Sequence, residues 1–280
     1  MNRTRLENQI RQVRNTIPGQ VSVLLQELDD ENENVLINMD ADQETVSASM
    51  IKVPILMYLL QRVLDGDFEM TDTLSVKEED MTGDSMVFDM GERTASIYEL
   101  AYWMIVYSDN TATNILINFL GMDRLNDYFR KKNLRHTKIE RRMLDFEAVK
   151  KGRNNYISLE DYRNVVLKFY KEAGRQQKTA ETAMSMLLQN RDADALLRYI
   201  YEGPSFYHKT GELDDTAHDA GIFIWNHRCW FLGVFISGLN TERMNSDEAR
   251  KSIGRIGRAV FDAMKREDFV EQERQKCMQW

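Results

Sequence analysis

Strand-forming sequence in this chain is confined to its two ends. Two β-branched runs, Gln20–Leu28 and Val35–Met39, lie near the start, joined by the acidic turn DDENEN at 29–34. Three more, SFYHKTGEL, HDAGIFIWN and CWFLGVFISG, follow Gly203-Pro204, and Asn226-His227-Arg228 reads as the hairpin connection between the last two. Between the groups, apolar residues recur at helical spacing for about 150 positions. This predicts helices near 50–64, 97–107, 111–120, 123–132, 158–173 and 178–189, with a short one near 193–200. Helical spacing also marks Arg3–Thr16 and Asp247–Arg266. Strands separated this widely satisfy their backbone groups by meeting in one sheet.

The expected fold is therefore α/β of the α+β type: a five-stranded antiparallel sheet flanked by the terminal helices, plus an all-helical lobe, with the active site in the cleft between them. The expected boundaries are 1–47 with 201–270 for the sheet lobe, 48–200 for the helical lobe, and 271–280 as a loosely held tail. A chain of 280 residues, 42% hydrophobic and 29% charged, is large enough for such a core.

The formal net charge of −8 excludes the basic stripe that nucleic acid requires, and no polybasic segment offers a footing for anionic lipid. No apolar stretch is long enough for a membrane span. The polar start, MNRTRLENQIRQVRN, has no signal core, so a cytoplasmic protein is expected; a signal cleaved ahead of Met1 would make it exported. Cys229 and Cys277 sit in unlike contexts, and the four histidines form no ligand pair. No metal and no cofactor are expected. The aromatic cluster Phe223, Trp225, Trp230, Phe231 and Phe235 reads as sheet core, and Met50, Met57 and Met104 as helix core.

Three short motifs carry chemistry. Ser49-Met50-Ile51-Lys52 is the only SxxK in the chain, and three residues make just under one helical turn, so the hydroxyl and the amine share a face. A hydroxyl needs a base to become a nucleophile. A lysine can serve if burial lowers its pKa, and the run VPILMYLL after Lys52 predicts that burial. Backbone N–H groups at such a helix start can meet an oxyanion. Ser108-Asp109-Asn110 falls at the junction of two helical patterns, where Ser108 can pass a proton and Asn110 can hold an amide. Each is also a good N-cap residue. Lys209-Thr210-Gly211 lies on a predicted strand, where Lys209 can bind a carboxylate, Gly211 permits close backbone approach, and the N–H of Glu212 can serve as an oxyanion donor. A glycine bulge on an edge strand would look the same.

In this order and in these element contexts, the set resembles the class A β-lactamases and the wider penicillin-binding family, whose signature is SxxK, SDN and KTG. The surroundings ASMIKVPIL, YSDNTATNIL and HKTGELDDTAHDAGIF match as well. The resemblance implies that Ser49 forms an acyl-enzyme with a lactam or an amide-like or ester substrate. Lys52 would be base or proton relay, Ser108 the shuttle to the leaving nitrogen, and Asn110 the ligand of a side-chain amide. Lys209 and Thr210 would bind the substrate carboxylate, and the N–H groups of Ser49 and Glu212 would form the oxyanion hole. The implied partner is a small-molecule β-lactam, peptide or ester; oligomeric state is not readable.

One family residue is absent. Class A enzymes carry a glutamate two positions after an arginine, on the loop following SDN, which activates the deacylating water. Counting from Arg142, that place is held by Leu144, with Asp145 one position late and Glu147 three late. Three outcomes stay open: Asp145 or Glu147 activates water from a rearranged loop, the acyl-enzyme resolves as in DD-peptidases and esterases, or it persists. His208 before KTG favours the second and the SDN surroundings the first.

Overall fold

The computed structural model describes residues 2–28, 34–83, 85 and 89–277, with side chains described as far as residue 266. Most of the DDENEN turn lies outside the described residues. The chain divides into two compact units: 1–41, 193–206 and 212–280 form one, while 42–192 and 207–211 form the other. The expected divisions at 47/48 and 200/201 thus fall at 41/42 and 192/193.

The main sheet is antiparallel and five-stranded, in the order Val35–Met39, Gln20–Glu27, Arg228–Ser237, Thr216–Trp225, Ser205–Leu213; residues 207–211 of its last strand belong to the second unit. Strands from both chain ends meet at its centre, where Val23 pairs with Val234 on one side and Met39 on the other. The last hairpin turns at Asn226 and His227, both with positive φ, the geometry a two-residue type I′ connection requires. Val21, Val23, Leu25, Trp230, Leu232 and Val234 alternate onto a face shared with Leu6 and Ile10 of the first helix and Ile253, Ile256 and Val260 of the last. Phe223, Phe231 and Phe235 are buried too, so four of the five aromatics expected as sheet core are core, and Trp225 packs against it partly buried.

Two expectations are corrected here. Residues 193–200 form a chain of turns, with Arg198 and Ile200 bonding three residues back, because the N–H of Leu196 is drawn to the Asp219 carboxylate at 2.9 Å. The closing helix does not stop at Arg266. It runs Ser246–Cys277, through a stretch of Glu, Arg, Gln and Lys with no glycine or proline to end it.

The second unit is organised around the helix Lys52–Leu64, packed by Ile97–Val106, Asn110–Leu120, Met122–Lys131, Leu159–Ala173 and Lys178–Leu188. Its first nine residues are all buried, including Met57, which is why VPILMYLL is apolar on every side. Each fully buried aliphatic or Met side chain there contributes roughly 1.5–3 kcal/mol. The unit is not wholly helical. Thr45–Val46 pairs with Tyr156–Ile157, and Thr73–Val76 with Arg93–Ser96. No helix among the described residues is long and apolar enough to cross a membrane.

Candidate active site

Ser49 sits in a tight 3₁₀ turn, Ala48–Ile51, that leads directly into the helix opened by Lys52. Ala48 holds a left-handed φ of 44°, which swings the chain so that Ser49 stays partly exposed between buried neighbours. The Lys52 amine, itself without solvent exposure, lies 3.0 Å from the Ser49 hydroxyl. It also reaches the Ser108 carbonyl at 2.5 Å, the Ser108 hydroxyl at 3.1 Å and the Asn110 side-chain oxygen at 2.9 Å. Burial, and then the positive charge of Lys209, push the pKa of Lys52 well below the ordinary lysine value, against a smaller opposing pull from Asp109. A shift in this direction favours the neutral amine, whose lone pair can take a hydroxyl proton.

Ser108 occupies a turn of positive φ, 56°. That turn is closed by the Trp103 carbonyl, which accepts from both Tyr107 N–H and Asp109 N–H. Asp109 caps the helix Asn110–Leu120 through the Ala112 N–H, and its two oxygens, 2.8 and 3.0 Å from the Ser85 hydroxyl, share that group's one proton. The capping interpretation of this motif therefore holds for Asp109, while its neighbours face the lysines. On the strand Ser205–Leu213, the buried Lys209 amine donates to the Ser108 hydroxyl at 3.0 Å and to the Thr210 carbonyl at 2.8 Å. Ser108 thus stands between two lysines, within hydrogen-bonding distance of both.

Gly211 has a steric reason. A Cβ there would lie 3.1 Å from the Ser49 nitrogen and 3.2 Å from the Ala48 and Met50 side chains. Ser49, Lys52, Ser108, Asn110, Lys209, Thr210 and Gly211 all fall within the second unit. The Glu212 carboxylate is turned to Arg250 at 2.8 Å and takes no part in the cluster.

The loop after SDN is held from two sides. Asn114, one turn beyond Asn110, exchanges hydrogen bonds with the Met143 backbone in both directions, at 2.7 and 3.2 Å. Asn155 accepts from the N–H groups of Glu140 and Arg141 and donates to the Arg141 carbonyl, while its own carbonyl receives the Ser47 N–H. Neither asparagine was singled out from the sequence; the signal was a polar residue at a helical core position, four after Asn110. Leu144 follows with a left-handed φ of 61° and a third of its surface exposed. Asp145 is spent as the N-cap of Phe146–Lys150, and Glu147 pairs in solvent with Lys150 at 2.7 Å. Among the described residues, neither acid hydrogen-bonds to Ser49 or Lys52. No cluster of three or more His, Cys, Asp or Glu suited to a metal is found among them.

Residues 5–264 match the model of a family described as the Beta-lactamase enzyme family. Among solved structures, a β-lactamase from Sphaerobacter thermophilus is 23% identical, with a TM-score of 0.80, and the match covers 94% of this chain and 98% of that one. A β-lactamase from Chitinophaga pinensis is 18% identical, with a TM-score of 0.84 over 93% and 99%. A leucine-to-glutamate mutant of PBP-A, in an acyl-enzyme complex with penicillin G, is 22% identical, with a TM-score of 0.81 over 94% and 97%. At these identities the likeness is one of fold. Comparison with curated proteins gave no match.

Proposed function

Because the chain belongs to the Beta-lactamase enzyme family, a family of serine β-lactamase-type hydrolases, we propose that it acylates Ser49 with β-lactams or related amides and esters and releases the product slowly. The observation that carries this reading is the cluster in which the buried Lys52 touches Ser49 and both Lys52 and the buried Lys209 touch Ser108.

Neutral Lys52 takes the Ser49 proton as Oγ bonds to the substrate carbonyl carbon. The carbonyl oxygen becomes an oxyanion, met by the N–H groups of Ser49 and Glu212. The proton passes from Lys52 through the Ser108 hydroxyl to the leaving nitrogen, so the C–N bond breaks without releasing an amide anion. Lys209 and Thr210 hold the substrate carboxylate, and Asn110 its side-chain amide. Burial, and then the positive charge of Lys209, lower the pKa of Lys52 and so favour the neutral amine this step needs.

Deacylation needs a water stripped of a proton, and here the loop offers Leu144 where class A enzymes have glutamate. The likeness in fold to PBP-A, a mutant of which was captured as an acyl-enzyme with penicillin G, supports the acylation step of this reading. A DD-peptidase or esterase reading is favoured by one residue, the buried His208 preceding Lys209.

The test is intact-protein mass after mixing with a chromogenic β-lactam, read beside the turnover trace. The expected result is a prompt adduct, a burst of product equal to enzyme, then slow turnover. Ser49→Ala should give no adduct. Fast steady hydrolysis without an accumulated adduct would sink the proposal.

A further inference from the structure

A pocket of about 440 Å³ opens in the helical unit, beside the last turns of the helices Lys52–Leu64 and Met122–Lys131. Its size lies in the range of small-molecule sites, roughly 300–1,000 Å³. Along its first helix, Arg62 stands ten residues from Lys52, about 15 Å at 1.5 Å per residue, so the pocket is separate from the serine–lysine cluster. Tyr58 and Tyr128, both more than nine-tenths buried, contribute rings whose centroids are 4.8 Å apart.

Four cations line the pocket: Arg62, Arg124, Lys131 and Lys132. Asp67 neutralises Arg62 at 2.6 Å. Of the two carboxylates in the lining, Asp127 pairs with Arg130, while Asp65 accepts from the neutral Gln61 amide at 2.9 Å and keeps its charge. Arg124, Lys131 and Lys132 have no ion-pair partner among the described residues; Lys132 lies 5.3 Å from the Tyr128 ring centroid.

Helix structure explains only part of this. Lys131 and Lys132 sit at a helix C-terminus, where the dipole favours cations. Arg124 is in the first turn of the same helix, where the dipole opposes it, and no acid answers it. The Tyr128 hydroxyl is buried with no hydrogen-bond partner, an arrangement folded chains rarely keep without a further acceptor. Burial, followed by the nearby negative charges of Glu172 and Asp65, raises the pKa of this phenol and holds it as a donor. An arginine and two lysines without ion-pair partners line one cavity, together with a tyrosine whose hydroxyl lacks an acceptor.

We propose that this pocket binds a small polyanion, a phosphate ester or polycarboxylate, held by Arg124, Lys131 and Lys132 above the tyrosine pair. The site stands independently of the acyl-transfer reading. Titration calorimetry on the full chain, with pyrophosphate and with citrate at constant ionic strength, tests it. Saturable one-to-one binding is expected, and whichever probe binds tighter identifies phosphate or carboxylate as the recognised group. Arg124→Gln and the double change Lys131→Gln/Lys132→Gln should each weaken binding about tenfold or more. Tyr128→Phe should weaken it without lowering Tm, since it removes an unpaired hydroxyl. All three variants should acylate Ser49 at the parent rate, which separates failure here from failure of the catalytic proposal. Absence of saturable binding by both probes, or equal binding by the parent and a variant combining Arg124→Gln, Lys131→Gln and Lys132→Gln, would overturn the site.

Discussion

On the proposed reading, Leu144 is the side chain that divides a two-step reaction. Acylation would draw on Ser49, Lys52 and Ser108, the Lys52 amine lying 3.0 Å from the Ser49 hydroxyl and 3.1 Å from that of Ser108. Hydrolysis of the resulting ester would need a base beside the water, whereas Asp145 caps a helix and Glu147 pairs with Lys150. Substituting Leu144→Glu places a carboxylate at the family's position without disturbing the asparagine clamps on Met143 and Arg141. General bases contribute typically ~10²–10⁴-fold, so deacylation should quicken by up to that order while acylation stays near the parent rate. Single-turnover mass spectrometry separates the two constants. An unchanged adduct lifetime would mean that the loop does not direct residue 144 to the water.

At the scale of elements, the legible parts were those fixed by local chemistry. The three motifs, the apolar helix after Lys52 and the strand Ser205–Leu213 follow from spacing and side-chain type alone. What was not legible depends on distant partners. The turns at 193–200 owe their shape to Asp219 and to the closing helix. The two ribbons have strands of only two to four residues, too short for an alternation to register. The place of Leu144 is set by Asn114 and Asn155, neither adjacent in sequence. Gly257 tests this kind of dependence. An added Cβ would stand 2.2 Å from the Leu196 carbonyl, a backbone atom that cannot swing aside. Alanine gains roughly 1 kcal/mol in helix propensity over glycine, while overpacking costs about 1–3 kcal/mol or more, so the clash should win. Gly257→Ala is therefore expected to lower the urea midpoint; a rise would show that helix and turns separate freely.

For the molecule as a whole, the buried lysine should be visible in the pH dependence of stability. The chain is acidic, with a formal net charge of −8, so raising the pH from neutrality adds repulsion that works against the fold. Lys52 acts in the opposite direction. Its folded pKa lies well below the 10.5 of an ordinary lysine, because burial and Lys209 disfavour the charge. Between the lowered folded value and 10.5, the unfolded chain binds more protons at this residue than the folded one, so stability rises with pH there. A full proton difference corresponds to about 1.4 kcal/mol per pH unit. Asp161 is shifted upward by burial, so its contribution falls as pH rises from 3.8 through its raised value, at the acid end. It does not enter the alkaline window. Urea unfolding of the parent and of Lys52→Met at pH 7, 8 and 9 isolates the lysine, since surface repulsion is common to both. Removing Lys52 also relieves Lys209, so the difference reports the coupled pair. The stability of the parent minus that of the variant should increase with pH. A flat or falling difference would mean that Lys52 keeps its proton in the folded protein, and the amine would then have no lone pair with which to activate Ser49.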